Sequence, residues 1–230
     1  VCNHGITCLN IDIAHGHSSA MRDMLKLVKR EHPEHHVMVG SIATEKAAHD
    51  VARWGADSAK CGVGPGASCL TRTMAAAGVP QVTALLETCT CEIPIIADGG
   101  IRTPGDVVKA LGLGATAVML GSLLAGTRES PGEISKSGPW ANETLTKRYM
   151  GSASRDSKLA RDEEEKNVEG TSFTVPYRGK TKRIINDISD GLRSGMSYAG
   201  SHNIPEFHKK ARFLRVTTSG IVEAGAHGIK

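Results

Sequence analysis

The chain has 230 residues and a net charge of +4, and 40% of its residues are hydrophobic while 23% are charged. This composition suits one globular domain with a sizeable core and excludes a disordered, collagenous or coiled-coil chain. No apolar run approaches the roughly 18 residues of a membrane span, and the basic residues form no clustered face for nucleic acid.

Short apolar runs alternate with amphipathic patterns through the first two-thirds of the chain. The β-branched, apolar runs predict five strands, over Ile6–Ala14, Val37–Ala43, Ser58–Gly62, Ile93–Ala97 and Ala115–Gly121. Apolar residues at helical spacing predict helices over Ser18–Arg30, Thr44–Trp54 and Thr103–Leu111. Such alternation is typical of a parallel sheet covered by helices, with the functional loops at the carboxyl ends of the strands.

Two architectures fit this pattern, the (β/α)8 TIM barrel and the doubly wound sheet. No GxGxxG fingerprint follows a strand, which favours the barrel. An eight-unit barrel needs about 250 residues, so the N-terminal strand–helix units are expected to be absent from this chain. We interpret residues 1–230 as one catalytic barrel domain with five such units. Residues 142–180 are predicted to be a mobile flap, and residues 181–230 a C-terminal helix (Thr181–Tyr198) and tail with a short strand (Phe213–Thr218).

The cysteines and the N-terminus bear on the compartment. The six cysteines form no CxxC pairs, and Val1–Leu9 has no basic region followed by an apolar stretch. This usage is typical of reduced thiols, so a cytoplasmic location is expected.

Two glycine-bearing turns follow the last two predicted strands, at Asp98-Gly99-Gly100 and Gly121-Ser122. Successive backbone N–H groups without side-chain bulk can form an anion nest. The loops after strands seven and eight are the usual phosphate site of TIM barrels. Asp98 can accept hydrogen bonds from ribose hydroxyls, so the turns together indicate a nucleoside monophosphate; ordinary turn glycines are the alternative.

A loop rich in glycine and proline, Gly62–Arg72, places Cys69 at the carboxyl end of the third strand. A cysteine on such a loop, near Arg72, can be favoured as the thiolate and act as a nucleophile. A buried inert thiol is the alternative, since it is the usual state of free cysteine. The backbone carbonyls of the loop can also coordinate a monovalent cation.

Three long motifs together resemble the IMP dehydrogenase/GMP reductase family: GVGPGASCLTR, AAAGVPQVTAL and PIIADGGIRTPGDVVKALGLGATAVMLGSLLAG. The match extends from IDIAHGHS to FLRVTTSGIVEA, which is essentially the whole chain. The resemblance implies a (β/α)8 barrel, usually a homotetramer, that binds a purine nucleotide and a nicotinamide dinucleotide. Neither nucleic acid nor a membrane is expected as a partner.

The resemblance also implies roles for single residues. Cys69 is similar to the catalytic cysteine that attacks purine C2, and Thr71 and Glu169 are similar to the groups that protonate the leaving amine. The implied substrate-binding residues are Ser68, Asp98, Gly99, Gly100, Gly121, Ser122, Met150, Gly151, Ser152 and Gly170. The implied cofactor-binding residues are Asp12, Ile13, Ala14, His15, Gly16, Val63 and Gly64. The carbonyls of Gly64, Gly66 and Cys69 are similar to a potassium-binding loop.

The two enzymes of the family differ in what leaves or attacks C2. The resemblance implies that a dehydrogenase carries an Arg-Tyr pair after the MGS turn, whereas here Arg148-Tyr149 precedes that turn. Thr71 and Glu169 fit the reductase. We therefore predict a GMP reductase that uses NADPH to convert GMP to IMP and ammonia. IMP dehydrogenase is the alternative, and a non-catalytic nucleotide-binding remnant is a third interpretation.

Three features depart from the reductase pattern. Gly40-Ser41 stands where reductases usually have Gly-Asn, and the tail FLRVTTSGIVEAGAHGI resembles that of dehydrogenases. A tyrosine beside the phosphate has no clear match, because Tyr149 is expected nearer the turn that flanks the base.

Overall fold

The computed structural model describes residues 5–138 and 144–225. A main sheet of five strands is followed in the chain by a smaller sheet of three strands. Residues 142–143 of the predicted flap and residues 226–230 of the predicted tail lie outside the described residues. None of the described helices combines the length and apolar character of a membrane span.

The five predicted strands and the predicted helices are confirmed, with slightly different bounds. The strands of the main sheet are β1 (Cys8–Asp12), β2 (His36–Ile42), β3 (Ser58–Cys61), β4 (Ile95–Asp98) and β5 (Ala117–Met119). The helices between and directly after them are α1 (Ser19–Glu31), α2 (Glu45–Arg53), α3 (Thr71–Met74), α4 (Gln81–Thr88), α5 (Pro104–Gly112) and α6 (Ser122–Ala125).

The strand order of the main sheet follows the chain, β1-β2-β3-β4-β5, and every neighbouring pair is parallel. In a doubly wound sheet the order reverses at a switch point, whereas in a (β/α)8 barrel each strand lies beside the next one in the chain. The observed order is therefore that of a barrel containing five of the eight units, as predicted.

Burial divides the central strands from the outer ones. All four residues of β3 are buried, as are five of the seven in β2. The residues of β1 and β5 are exposed or half-buried. The apolar faces of the helices, with Met21 and Leu25 on α1 and Val51 on α2, complete the core. Burial on both faces is typical of the central strands of a parallel sheet covered by helices.

Side-chain caps fix where the helices begin, and so fix the lengths of the loops that precede them. The Oγ atoms of Ser18, Thr44 and Thr103 each accept a hydrogen bond from a backbone N–H in the first turn of α1, α2 and α5, respectively. At α5 the side chain of Asp106 accepts in return from the backbone of Thr103, which completes a capping box. The loops before α1 and α5 carry two groups of predicted site residues, residues 13–16 and Gly99 with Gly100.

The stretch predicted as a flap is more regular than expected. Strand β7 (Thr144–Met150) pairs antiparallel with β6 (Ser135–Ser137) on one side and with β8 (Ser172–Pro176) on the other. Helix α7 (Arg155–Leu159) lies between β7 and β8 in the chain. The segment TLTKRYM has two adjacent basic residues and no continuous apolar run, so its sequence does not predict a strand.

The predicted strand Phe213–Thr218 is wrong. After α8 (Thr181–Tyr198), which packs against α5, and α9 (Ile204–Lys210), residues 211–217 are irregular. Helix α10 (Thr218–Glu223) then begins at the residue where the strand was to end. A β-branched run forms a strand only where a neighbouring strand supplies backbone hydrogen bonds. Within the described part of the chain, no strand pairs with this segment.

Replacing Leu25 by alanine should test the packing of α1 on the sheet. Leu25 is fully buried, so Leu25→Ala should lower the free energy of unfolding by about 2–5 kcal/mol. Leu27, two residues along the same helix, is 42% exposed, and Leu27→Ala should change that free energy by no more than about 0.5 kcal/mol. Urea denaturation followed by circular dichroism measures both, and equal losses would contradict the described packing.

Candidate active site

A cavity of about 780 Å³ lies at the carboxyl ends of the parallel strands. The loops after β1, β3 and β4 supply most of its wall, and the segments on either side of α7 supply the rest. Its lining residues include Asp12, Ile13, Ala14, Val63, Gly64, Gly66, Ser68, Cys69, Thr71, Asp98, Gly99, Met150, Ser152, Glu169 and Gly170. We call this the first cavity.

A second cavity, of about 670 Å³, adjoins the first and shares part of its wall. Asp12, Lys60, Asp98, Gly99 and Tyr149 line both cavities. The second cavity is completed by the two predicted phosphate turns, through Gly100, Gly121 and Ser122. An elongated ligand can therefore extend from the cysteine loop to the glycine turns.

The cysteine loop presents Cys69 to the first cavity. The backbone N–H of Cys69 donates to the carbonyl of Gly66 at 3.0 Å, which makes a tight turn. The half-buried Sγ lies 3.1 Å from Oγ1 of Thr71, within hydrogen-bond distance for sulfur. A hydroxyl in this position can accept from the thiol or donate to the thiolate.

Backbone hydrogen bonds join the cysteine loop to the segment that carries Glu169. The N–H of Leu70 donates to the carbonyl of Glu169 at 2.7 Å, and the N–H of Thr171 donates to the carbonyl of Ser68 at 2.9 Å. These two bonds hold the Glu169 segment against the loop from both sides of Cys69. The predicted nucleophile and the predicted acid–base residues consequently line one cavity, although they come from distant parts of the chain.

Sequence reasoning missed Lys60, the central charge of the site. Lys60 lies on β3 with only 2% of its surface exposed, and its Nζ is 2.6 Å from Asp98 and 2.8 Å from Asp12. Burial alone lowers the pKa of this ammonium, but its hydrogen bonds to the two carboxylates outweigh burial and raise the pKa above its ordinary value of 10.5. The available signal was a lysine inside the strand SAKC, whose other residues are small.

The structure corrects the expected place of Tyr149. The phenol oxygen lies 3.0 Å from the point that a Cβ atom on Gly121 would occupy, so the ring reaches the glycine turn of the second cavity. Arg148 instead forms an ion pair with Asp156 and does not line either of the two cavities. Neighbouring residues of a strand point to opposite faces, which separates these two side chains.

Three of the predicted site residues line neither cavity: His15, Gly16 and Gly151. His15 is exposed, whereas the N–H of Gly16 donates to the carbonyl of Ser41 at 2.7 Å and anchors the loop after β1. Gly151 packs closely against the side chain of Ser68. These two glycines therefore shape the neighbouring loops.

Arg72 also shapes a loop. Its guanidinium donates to the carbonyl of Val79 at 2.7 Å. Its side chain fills the space beside Gly64 and Gly78, where an added Cβ would lie 2.8 Å and 2.7 Å from Cγ. The described contacts of Arg72 thus support the shape of the cysteine loop. The sequence predicts a different role, in which the guanidinium charge favours the Cys69 thiolate.

The fold and the two cavities define an α/β protein of the (β/α)8 barrel class with its site at the carboxyl ends of the strands. Residues 1–227 match the sequence profile of the IMP dehydrogenase / GMP reductase domain. The chain belongs to this family of oxidoreductases, as its motifs predicted.

Relatives of both kinds are similar to the chain. It is 44% identical to inosine-5'-monophosphate dehydrogenase from Aquifex aeolicus and 40% identical to GMP reductase from Leishmania donovani, over 98% of the chain and 48% of each relative. A crystal structure of a cysteine-to-alanine variant of GMP reductase from Trypanosoma brucei, in complex with guanosine 5'-monophosphate, superposes with a TM-score of 0.93. That structure is 39% identical and covers all of this chain and 49% of its own. The chain spans about half the length of the curated relatives it matches.

Replacing Lys60 by methionine should expose the cost of leaving the two aspartates unpaired. We expect Lys60→Met to lower the free energy of unfolding by about 1–3 kcal/mol. This is less than the about 3–5 kcal/mol of a fully buried pair, since Asp12 is partly exposed. The raised pKa of Lys60 means that its stabilisation is complete below about pH 10.5 and is lost as pH rises through the folded-state pKa.

Urea denaturation at several pH values measures this difference. The gap between wild type and Lys60→Met should be constant between about pH 6 and 9 and shrink above about pH 10.5. Lys46→Met is the matched control, because Lys46 is an exposed lysine that also pairs with an aspartate. A loss as small as that of the control would contradict the buried ion pair.

Proposed function

We propose that the protein containing this chain is a GMP reductase, which converts GMP to IMP and ammonia with NADPH in purine nucleotide interconversion. The observation that carries the proposal is the contact of Cys69 Sγ with Thr71 Oγ1 at 3.1 Å, in a cavity that Glu169 also lines. A thiol nucleophile beside a hydroxyl, in a cavity that a glutamate also lines, has the groups needed to displace an amine from a purine ring.

The chemistry follows from these three residues. The Cys69 thiolate attacks C2 of GMP and forms a carbon–sulfur bond, and the exocyclic amine leaves as ammonia. Thr71 and Glu169 pass to the departing amine the proton it needs, as general acid–base groups. Bound NADPH supplies the hydride that C2 receives. The carbon–sulfur bond then breaks, the thiolate is restored, and IMP and NADP⁺ are the products.

The glycine turns are the proposed phosphate site. Gly99 and Gly100 have φ angles of +92° and +79°, a conformation that side chains with a Cβ rarely adopt. Two such residues in succession direct backbone N–H groups to one side and suit an anion. The phosphate would lie between this turn and Gly121-Ser122, with the Tyr149 hydroxyl as a further donor. Asp98 would accept from the ribose hydroxyls.

The loop after β1 and the start of the cysteine loop are the proposed nicotinamide site. Ile13, Ala14 and Val63 line the first cavity together with Cys69, whereas the phosphate turns line the second. This arrangement would place the dinucleotide on the opposite side of the reacting carbon from the phosphate of the purine nucleotide. His15 and Gly16 would act through the shape of the loop.

The cysteine loop is also compatible with a potassium ion. The carbonyl of Gly66 accepts one hydrogen bond, from Cys69, and retains a second lone pair. The carbonyls of Gly64 and Cys69 accept no hydrogen bond from a backbone N–H of the described loops and turns. Oxygen ligands of this kind suit a hard cation, which would hold the loop that carries the nucleophile.

A dehydrogenase is the second candidate, favoured by the 44% identity to the Aquifex aeolicus enzyme. Its hydrolytic step requires a base that activates water at C2. The Arg148-Tyr149 pair is poorly placed for this role, because Arg148 pairs with Asp156 outside both cavities while Tyr149 faces Gly121. This separation supports the reductase.

A homotetramer and a cytoplasmic location complete the proposal.

The reaction itself is the most direct test. The intact protein should consume NADPH, measured by its ultraviolet absorbance, when GMP is added, and should release ammonia. Cys69→Ser should abolish this activity, whereas Cys8→Ser, which alters an exposed cysteine on β1, should leave it unchanged. Formation of NADH from IMP and NAD without any consumption of NADPH by GMP would establish the dehydrogenase instead.

Glu169→Gln should separate the proton-transfer role from a solvated surface charge. Loss of a general acid–base group should slow the deamination of GMP by about 10²–10⁴-fold with little change in the KM for GMP. Glu164 is exposed and pairs with Lys166, so Glu164→Gln is the matched control and should retain full activity. Equal rates for the two variants in a steady-state assay would remove Glu169 from the mechanism.

A further inference from the structure

Two histidines and a glutamate meet at the turn between α1 and β2. Helix α1 ends at Glu31, and His32 is its C-cap. The N–H of His35 donates to the carbonyl of His32 at 3.2 Å, which closes a four-residue turn with Pro33 in the second position. Proline is favoured at that position of a turn because its φ angle is already suitable. The turn therefore fixes the positions of the His32 and His35 backbones relative to each other.

His35 is a buried side chain whose polar atoms are not satisfied. Only 5% of its surface is exposed, and neither ring nitrogen has a hydrogen-bond partner among the described residues. The Oε1 atom of Glu34 lies 2.7 Å from Nδ1, within ion-pair distance, so Nε2 is the ring nitrogen that no described group approaches. Buried polar groups are nearly always satisfied, so this imidazole points to a ligand that the protein atoms do not supply.

The three side chains converge on one point. The ring of His32 lies 5.4 Å from that of His35, with an angle of 76° between the planes. One ligand atom from each of His32, Glu34 and His35 lies within 4.8 Å of the other two. Atoms bound to one tetrahedral zinc ion at about 2.0–2.2 Å are about 3.3–3.6 Å apart. Rotation of the exposed Glu34 and the half-buried His32 can close this difference.

We propose that His32, Glu34 and His35 bind a divalent transition-metal ion of the zinc type. Two imidazoles and one carboxylate are a donor set that zinc binds, with water in the fourth position. One ring nitrogen of His35 would bind the metal, and the other would be free to donate a hydrogen bond that orients the ring. The ion would tie the end of α1 to the start of β2.

Lys29 and Asp57 stabilise the turn that carries the three side chains. The Nζ atom of Lys29 donates to the carbonyl of His35 at 3.1 Å and pairs with Asp57 at 2.5 Å. Asp57 also accepts a hydrogen bond from the N–H of Val37 at 2.6 Å, which fixes the beginning of strand β2. Because Asp57 balances the charge of Lys29, the carboxylate of Glu34 remains available to a cation.

The proposed metal site is separate from the candidate active site. His35 precedes β2, whereas both cavities lie at the carboxyl ends of the strands. The seven residues of β2 span about 20 Å at about 3.3 Å per residue. The metal would therefore act on the fold of the α1–β2 turn, and its binding should not depend on nucleotide.

Zinc titration of the chelator-treated intact protein tests the proposal. Isothermal titration with Zn²⁺ should show one site that His32→Ala and Glu34→Gln each weaken by at least about tenfold, since loss of even an outer-shell partner costs about 10–100-fold. Both residues have solvent-accessible side chains, so these variants should fold. His202→Ala, which removes an exposed histidine elsewhere, should bind Zn²⁺ as the wild type does.

Substitution by Co²⁺ distinguishes this site from one at the free cysteines. Binding at the turn should give the visible spectrum of tetrahedral cobalt without a thiolate charge-transfer band, and Glu34→Gln should need at least about tenfold more Co²⁺ to give the same absorbance. No Zn²⁺ binding by the wild type, or binding that both variants retain unchanged, would overturn the proposal. A thiolate band as the whole signal would also overturn it.

Discussion

The buried ammonium of Lys60 is the interaction on which the arrangement of the site depends. It lies on the central strand β3 and bridges Asp12 at the end of β1 and Asp98 at the end of β4. A buried cation is tolerated only where carboxylates and hydrogen bonds compensate the loss of water. The ion pairs therefore hold the ends of β1, β3 and β4 at fixed distances from one another. The three residues that form these pairs line both cavities.

This ion pair also reconciles Asp98 with the proposed phosphate site. A free carboxylate one residue before an anion nest would repel a nucleotide, but Lys60 compensates that charge through Oδ2 of Asp98. The other oxygen, Oδ1, is not used by Lys60 and can accept from ribose. In the proposed function, Lys60 would thus make the carboxylate of Asp98 compatible with a phosphate at the neighbouring turn and leave one of its oxygens for a sugar hydroxyl.

Sequence patterns predicted the features that depend on local physics. Three such features are each encoded within a few residues: the apolar run of β2, the caps at Thr44 and Thr103, and the glycine-rich cysteine loop. The pairing of Glu169 with the cysteine loop, by contrast, came only from the family resemblance, because a hundred residues of chain separate them. Lys60 was missed for the opposite reason: a charge inside an apolar strand has meaning only when the ends of the neighbouring strands are known.

The two ends of β2 divide the chemistry of the chain. At the carboxyl edge of the sheet, on the loop after β3, lies Cys69, whose proposed role as a nucleophile requires a free thiol, and thiolates are ligands that zinc binds. A metal site built from His32, Glu34 and His35 would lie at the amino end of β2, and that strand spans about 20 Å between the two edges of the sheet. Residues at the amino ends of barrel strands generally serve stability. A metal at this turn would therefore stabilise the scaffold without entering the reaction, a division that the parallel sheet itself imposes.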